Sequence, residues 1–204
     1  VLFRSRASDL GMSGENNEWK PVIQDKLSQQ LLVPNGTMGQ RWEEGKKWNL
    51  KLETEDGTPI DPMLSMAESD YHVETIQFPY FDSSGDGIFE RPIATRTIQL
   101  ANGEKVKIAT VYDLMTSQYG VQRFEHELEA TSYDDASSKY TPAWQEQITG
   151  IKKELVTKVA KEFAQNAIDT GGRSMIIMGA GINHWFNSDT IYRSILNLVL
   201  LCGC

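Results

Sequence analysis

The chain has 204 residues, and its 28 acidic against 20 basic side chains give a formal net charge of −8. That surplus argues against a nucleic-acid or anionic-lipid surface, because phosphates are gripped by basic patches. The length allows one ordinary domain, and the longest apolar run, Leu198–Cys202, is far shorter than the ~18–20 residues of a membrane span.

Val1–Ser5 fit nothing downstream and read as a non-native scar. Residues 6–74 form a loop-rich covering segment, with turn signals at Pro34–Gly36, Asp56–Gly57 and Asp61–Pro62. Trp19, Trp42 and Trp48 sit there in polar company, as in a coat over a larger protein. Residues 75–120 read as a strand and hairpin insertion. Thr75–Phe81 is a strand, and Thr95–Leu100 and Lys105–Val111 alternate in polarity around the Ala101–Gly103 turn. A short helix is expected over Val111–Tyr119, ended by Gly120.

Residues 121–204 carry the α/β part. Thr141 caps a helix, Pro142 takes its first position, and Gly150 ends it. A longer helix covers Lys152–Ala167, with Leu155, Val156, Val159, Phe163 and Ala167 on one side. Thr170–Gly172 stops it and leads to an apolar strand, Ser174–Met178. The strand empties into a Gly179–Ala180–Gly181 turn, and a second apolar helix follows, with Asn187, Ser188 or Asp189 at its start and no cap at its end. Helix, strand, glycine loop and helix in that order predict an α/β layer with a parallel sheet.

A strand running into a glycine-rich turn is a recipe for holding phosphates, since backbone N–H groups can approach an anion closely. It is not a dinucleotide fingerprint. The third glycine of that pattern is replaced by His184, and Val199 stands where its acidic residue belongs. His184 has no serine or cysteine partner for nucleophilic chemistry. Asp82, Ser84, Asp86 and Gly87 imitate the start of a calcium loop. Ile93, however, replaces its final glutamate, and Pro79 and Pro92 break the flanks, so a surface turn between strands is expected. Asp134 and Asp135 read as capping or hydrogen-bonding groups, and His72 and His126 as surface residues. Cys202 and Cys204 lack companion ligands and read as small buried residues ending a core helix.

The stretch from Arg173 to Cys204 resembles the molybdopterin oxidoreductases, whose pterin-binding domains carry an apolar strand followed by glycine loops ending near a histidine. It looks most like the alpha, catalytic subunits of the membrane-bound respiratory nitrate reductases. Pro34–Thr37 with Arg41 and Trp42, Thr110–Leu114, and Ala130–Asp135 leading into Tyr140–Gly150 carry the same resemblance, which runs from about Ala7 onward. Those subunits are several times longer, so an internal fragment is expected.

The resemblance implies reduction of nitrate to nitrite, with electrons from quinol arriving through iron–sulfur clusters. The implied cofactors are molybdenum bis(molybdopterin guanine dinucleotide) and a [4Fe-4S] cluster whose ligands lie outside this sequence. Gly179, Ala180, Gly181, Asn183, His184 and Trp185 are the implied cofactor-binding residues, and no catalytic or metal-ligating residue is assigned here. The implied partners are an iron–sulfur beta subunit and a haem-containing membrane gamma subunit, holding the chain at the cytoplasmic face of the membrane without a span of its own. A nitrite oxidoreductase or a chlorate- or perchlorate-reducing relative is the alternative within the family. A non-redox nucleotide-binding module is the alternative outside it.

Overall fold

The computed structural model describes residues 5–35, 52–82, 85–129 and 132–204. The expectations placed on residues 1–4, on Gly36, Thr37, Arg41, Trp42 and Trp48, on Ser83 and Ser84, and on Ala130 and Thr131 lie outside them. The fold is mixed α/β and divides into two compact units, Val1–Ala130 and Thr131–Cys204.

The first unit is built on a long hairpin. Strand β1 (Ile23–Gln24) pairs antiparallel with β2 (Leu31–Leu32), and β3 (His72–Asp82), β4 (Gly85–Gln99) and β5 (Lys105–Ile108) form an antiparallel sheet in that order. The β3–β4 register runs from His72 opposite Thr95 to Asp82 opposite Gly85. The calcium-like sequence therefore leads into a strand, and strands rather than helices flank it.

Sequence reasoning missed the first half of β4 because it contains Pro92. The ladder explains the tolerance. β5 pairs only with Arg96–Gln99, so at Pro92 the strand has a single neighbour and one missing N–H disrupts little. Arg91–Thr95 are all buried, Ile93 and Ala94 completely, and Phe78 stacks on its cross-strand partner Phe89 at 5.6 Å between ring centres. Met66, Ala94 and Ile108 form the hydrophobic cluster, with Leu31, Ile98, Val106 and Phe124 packed against it.

Helix α1 (Val111–Gln118) packs on β4. Thr110 caps it by accepting the Asp113 N–H, and the Ser117 hydroxyl donates to the Pro92 carbonyl at 2.8 Å. Asp113, completely buried, ties this unit together. Its carboxylate accepts from Ser65 Oγ (2.6 Å), the Met66 N–H (2.8 Å), Thr110 Oγ1 (2.8 Å) and Arg123 Nη1 (2.7 Å). Arg123 also lies over the Tyr112 and Phe124 rings. Nearby, the Glu129 carboxylate gathers the main-chain N–H groups of Arg123, Phe124 and His126. His126 is half-buried, and its Nδ1 accepts the Leu128 N–H, closing that turn.

The second unit is helical. In α2 (Pro142–Thr149), Thr141 Oγ1 accepts the Trp144 N–H, Pro142 opens the helix, and Gly150 closes it at φ 73°. Helix α3 (Lys153–Thr170) outruns its expected end by three residues and stops at Gly171, where φ is 66°. The one-turn α4 (Ala180–Asn183) and α5 (Ser188–Cys202) follow. α5 is capped after all, since left-handed Gly203 lets the Cys204 N–H reach the Val199 carbonyl at 3.0 Å.

Two expectations need correction here. Both sheets among the described residues are antiparallel, and residues 173–179 are unpaired, so the predicted parallel layer is not formed within them. The physical reason is a shortage of partners, as no strand is assigned among the described residues of this unit. Cys202 is only half-covered and Cys204 is exposed, so the two do not close a buried core helix. The same shortage shows across the unit, where, among the described residues, only Thr141, Ala143 and Ala167 are buried.

Candidate functional site

The glycine loop lies between the unpaired segment 173–178 and α5. Gly179 starts the α4 turn, its carbonyl accepting the Ile182 N–H at 3.0 Å and the Asn183 N–H at 3.4 Å. The turn then reverses again, with the Trp185 N–H on the Ile182 carbonyl and the Ser188 N–H on the Trp185 carbonyl. The Tyr192 hydroxyl donates to Asn183 Oδ1, fastening the loop to the first turns of α5.

Two features bear on what the loop can hold. The main-chain N–H groups of Gly179, Ala180 and Gly181 have no partner among the described residues, leaving successive donors facing outward. Neither glycine is demanded by the local fold either. Gly179 is in extended backbone at φ −162°, and a Cβ built at Gly179 or Gly181 would meet nothing within 4 Å. Their bareness leaves room for something outside this chain rather than solving a packing problem within it.

The side chains are equally available. Asn183 and His184 are exposed, Trp185 is 68% exposed and Phe186 wholly so. The six predicted residues thus come together, as one contiguous turn. No group of three or more metal-ligating side chains assembles among the described residues.

A separate open groove of about 540 Å³ runs beside α3, lined by Tyr133, Asp134, Lys153, Glu154, Lys158 and Glu162 among others. Its charges are of mixed sign, as on a solvated helix face, and the glycine loop takes no part in it. The Asp134 carboxylate beside Lys153, at 2.6 Å, raises that ammonium's pKa above the ordinary lysine value. Asp135 accepts from the main-chain N–H groups of Ser137 and Ser138 and from the Ser137 hydroxyl. Both carboxylates are therefore committed to turn-making and pairing.

The ordered blocks that carry the resemblance extend through both units, and comparison with known proteins covers them together. The nitrate reductase alpha chain of Bacillus subtilis is 52% identical over 198 residues, 97% of this chain. The respiratory nitrate reductase 1 alpha chain of Escherichia coli is 40% identical over 213 aligned positions, 98% of this chain. The chain belongs to the nitrate reductase alpha-chain family. A Mycobacterium tuberculosis nitrate reductase alpha subunit matches at 42% over 97% of the chain. The perchlorate reductase alpha subunit of Dechloromonas aromatica matches at 28% over 52% of it. This nitrate reductase alpha-chain sequence spans 16–17% of the length of the three nitrate reductase relatives. No family model matches the chain.

The site residue that sequence reasoning passed over is structural. Asp113 lies three residues after Thr110, the spacing of a helix N-cap, and the Thr110 hydroxyl both accepts the Asp113 N–H and donates to its carboxylate. Its bonds to Ser65 and Arg123 had no local signal.

Proposed function

We propose that this chain is part of the catalytic subunit of a molybdenum-dependent nitrate reductase, which reduces nitrate to nitrite with quinol electrons passed through iron–sulfur clusters. The observation that carries this reading is the 52% identity sustained over 97% of the chain. The residues of the glycine loop fit a pyrophosphate-bearing cofactor such as molybdenum bis(molybdopterin guanine dinucleotide). Gly179, Ala180 and Gly181 offer unpaired N–H donors and open space, while Asn183, His184 and Trp185 offer polar and stacking groups. When bound, that cofactor supplies oxygen-atom transfer at its metal. The protein's share is to bind and orient it. Asn183, held by the Tyr192 hydroxyl, fixes the loop's side-chain edge, and the exposed Trp185 ring offers a face for a bound group to stack on.

In the same reading the order of elements in residues 153–202 belongs to a parallel α/β layer, with Ser174–Met178 as its strand. The [4Fe-4S] cluster, the iron–sulfur beta subunit and the haem-bearing gamma subunit lie beyond this sequence, and they dock the assembly on the cytoplasmic face of the membrane. Among the described residues no helix is long and apolar enough to cross a membrane. The 28% match to a perchlorate reductase subunit favours one rival, a preference for chlorine oxyanions.

The test is nitrate-dependent oxidation of reduced viologen by a full-length alpha chain containing this sequence, with a tungstate-grown preparation as control. Activity lost on tungstate is expected, whereas molybdenum-loaded protein that turns over only chlorate or perchlorate would replace nitrate as the substrate. Gly181→Asp puts a negative charge into the loop and should abolish molybdenum retention. Gly181→Ala, for which there is room, should fold normally. Normal molybdenum content in Gly181→Asp would remove the loop from the cofactor site.

A further inference from the structure

The sequence holds two Asn–Gly pairs, and Asn102–Gly103 is the one that lies wholly among the described residues. It forms the outer half of the β4–β5 turn. The Leu100 N–H donates to the Glu104 carbonyl at 2.8 Å, and the Gly103 N–H donates to the Leu100 carbonyl at 2.9 Å. Gly103 sits at φ 87°, the left-handed position that a three-residue hairpin loop reserves for glycine. Asn102 Oδ1 accepts the Glu104 N–H at 2.9 Å, which folds the side-chain amide back along the Gly103 peptide. The inner side of the turn is pinned, since the Ala101 N–H donates to the Asp9 carbonyl at 2.8 Å, whereas the side chains of residues 101–105 are all exposed. These contacts prepare a reaction. The ring closed by the Asn102–Glu104 bond brackets the Gly103 nitrogen and keeps it close to the side-chain amide carbon. The Glu104 N–H already rests on the oxygen that takes up negative charge when that carbon is attacked. Gly103 has no side chain to crowd the approach, and the left-handed backbone keeps the position for glycine.

We propose that Asn102 is a site of spontaneous deamidation in the native protein. The Gly103 nitrogen gives its proton to solvent and bonds to Asn102 Cγ. The side-chain nitrogen takes a proton from water and departs as ammonia, leaving a cyclic imide. Water then opens the imide at either carbonyl, giving aspartate or isoaspartate. One water is consumed, one ammonia is released, and nothing is oxidised or reduced. The Gly103 N–H must first leave the Leu100 carbonyl, which makes the step slow, and the exposure of the turn gives water its access. Either product sets a new carboxylate beside Glu104. Isoaspartate also adds a main-chain carbon to a turn closed by the Leu100–Glu104 bond, and so loosens the Gln99–Lys105 pair where β5 begins.

The test uses a full-length alpha chain containing this sequence, held native in mildly alkaline buffer, then digested and read by mass spectrometry. The Asn102 peptide should lose its amide progressively and yield both aspartate and isoaspartate. Asn102→Gln, whose extra methylene carries the amide away from the Gly103 nitrogen, should slow the loss by about tenfold or more. Amide hydrogen exchange of Lys105–Ile108 should quicken in the isoaspartate form and stay slow in Asn102→Asp, which has the charge without the added carbon. A urea-unfolded sample controls for the chemistry. An amide lost there and kept in the native chain overturns the proposal, and so does an amide kept in both. Equal β5 exchange in the isoaspartate form and in Asn102→Asp would refute the loosening.

Discussion

Removing the Asp113 carboxylate is the most severe single change the structure offers. Asp113→Ala deletes four accepted hydrogen bonds and strands Arg123, whose side chain is only 16% exposed. Losing one member of a buried pair costs about 3–5 kcal/mol, mostly because the other charge is left uncompensated. Set against a total stability of roughly 5–15 kcal/mol, that is a large fraction for the unit holding β3, β4 and α1. With a urea slope of about 2 kcal/mol/M, the midpoint should fall by roughly 2 M. The readout is hydrogen exchange of β3 and β4 peptides across a urea series, which follows the first unit alone. Asp113→Ala combined with Arg123→Leu removes the stranded charge as well and should recover about 1–2 kcal/mol despite the lost ring contacts. A single variant whose midpoint barely moves would refute the reasoning. So would a double variant no more stable than the single one, since the cost would then lie in hydrogen bonds or packing rather than in the unpaired charge.

Two further outcomes are expected. The Lys26–Glu68 pair, at 2.8 Å, lowers the Glu68 pKa, chiefly through the hydrogen bond from Lys26, and raises that of Lys26 through the same bond. Its contribution is therefore complete above the unfolded carboxylate value of about 4.3 and below the unfolded lysine value of about 10.4. It fades as acid carries the pH down through the folded Glu68 value, or as base carries it up through the folded Lys26 value. Glu68→Gln should flatten the acid limb of melting temperature against pH, and an unchanged limb would assign it elsewhere. Gly172→Ala should damage the second unit more than Gly171→Ala. Both glycines have positive φ, but a Cβ at Gly172 would lie 2.3 Å from the Gly203 carbonyl oxygen, whereas at Gly171 it meets nothing. Thermal melts of α3 and α5 peptides by hydrogen exchange would expose the ranking, and equal losses would show that the backbone at Gly172 simply moves aside.

What the sequence made legible was punctuation. Thr141, Pro142 and Gly150 bracket α2 through chemistry complete within a few residues, and Ala101–Gly103 marks the β4–β5 turn in the same way. The turn at the glycine loop was readable in the same local way, because it is made within the seven residues Gly179–Trp185. Long-range dependence is what hid the rest. Pro92 reads as a strand breaker unless one knows where β5 stops pairing. Asp113, Ser65 and Arg123 are unremarkable polar residues until the fold gathers them. Segment 174–178 shows the alternation of a strand, yet alternation cannot supply the neighbours that would make it one.

The Ser117 hydroxyl on the Pro92 carbonyl has a consequence for how the long hairpin tolerates change. A ribbon of this length can slip along its partner two residues at a time without turning its faces over. Here one register is favoured at one point, because the Ser117 hydroxyl donates to the Pro92 carbonyl and a slipped strand would present another residue there. Alignment is set near the middle of β4, on the side held against α1. The register-setting contact thus lies beside the buried Ile93 and Ala94, seven residues along β4 from Gly85, rather than at the strand's outer end.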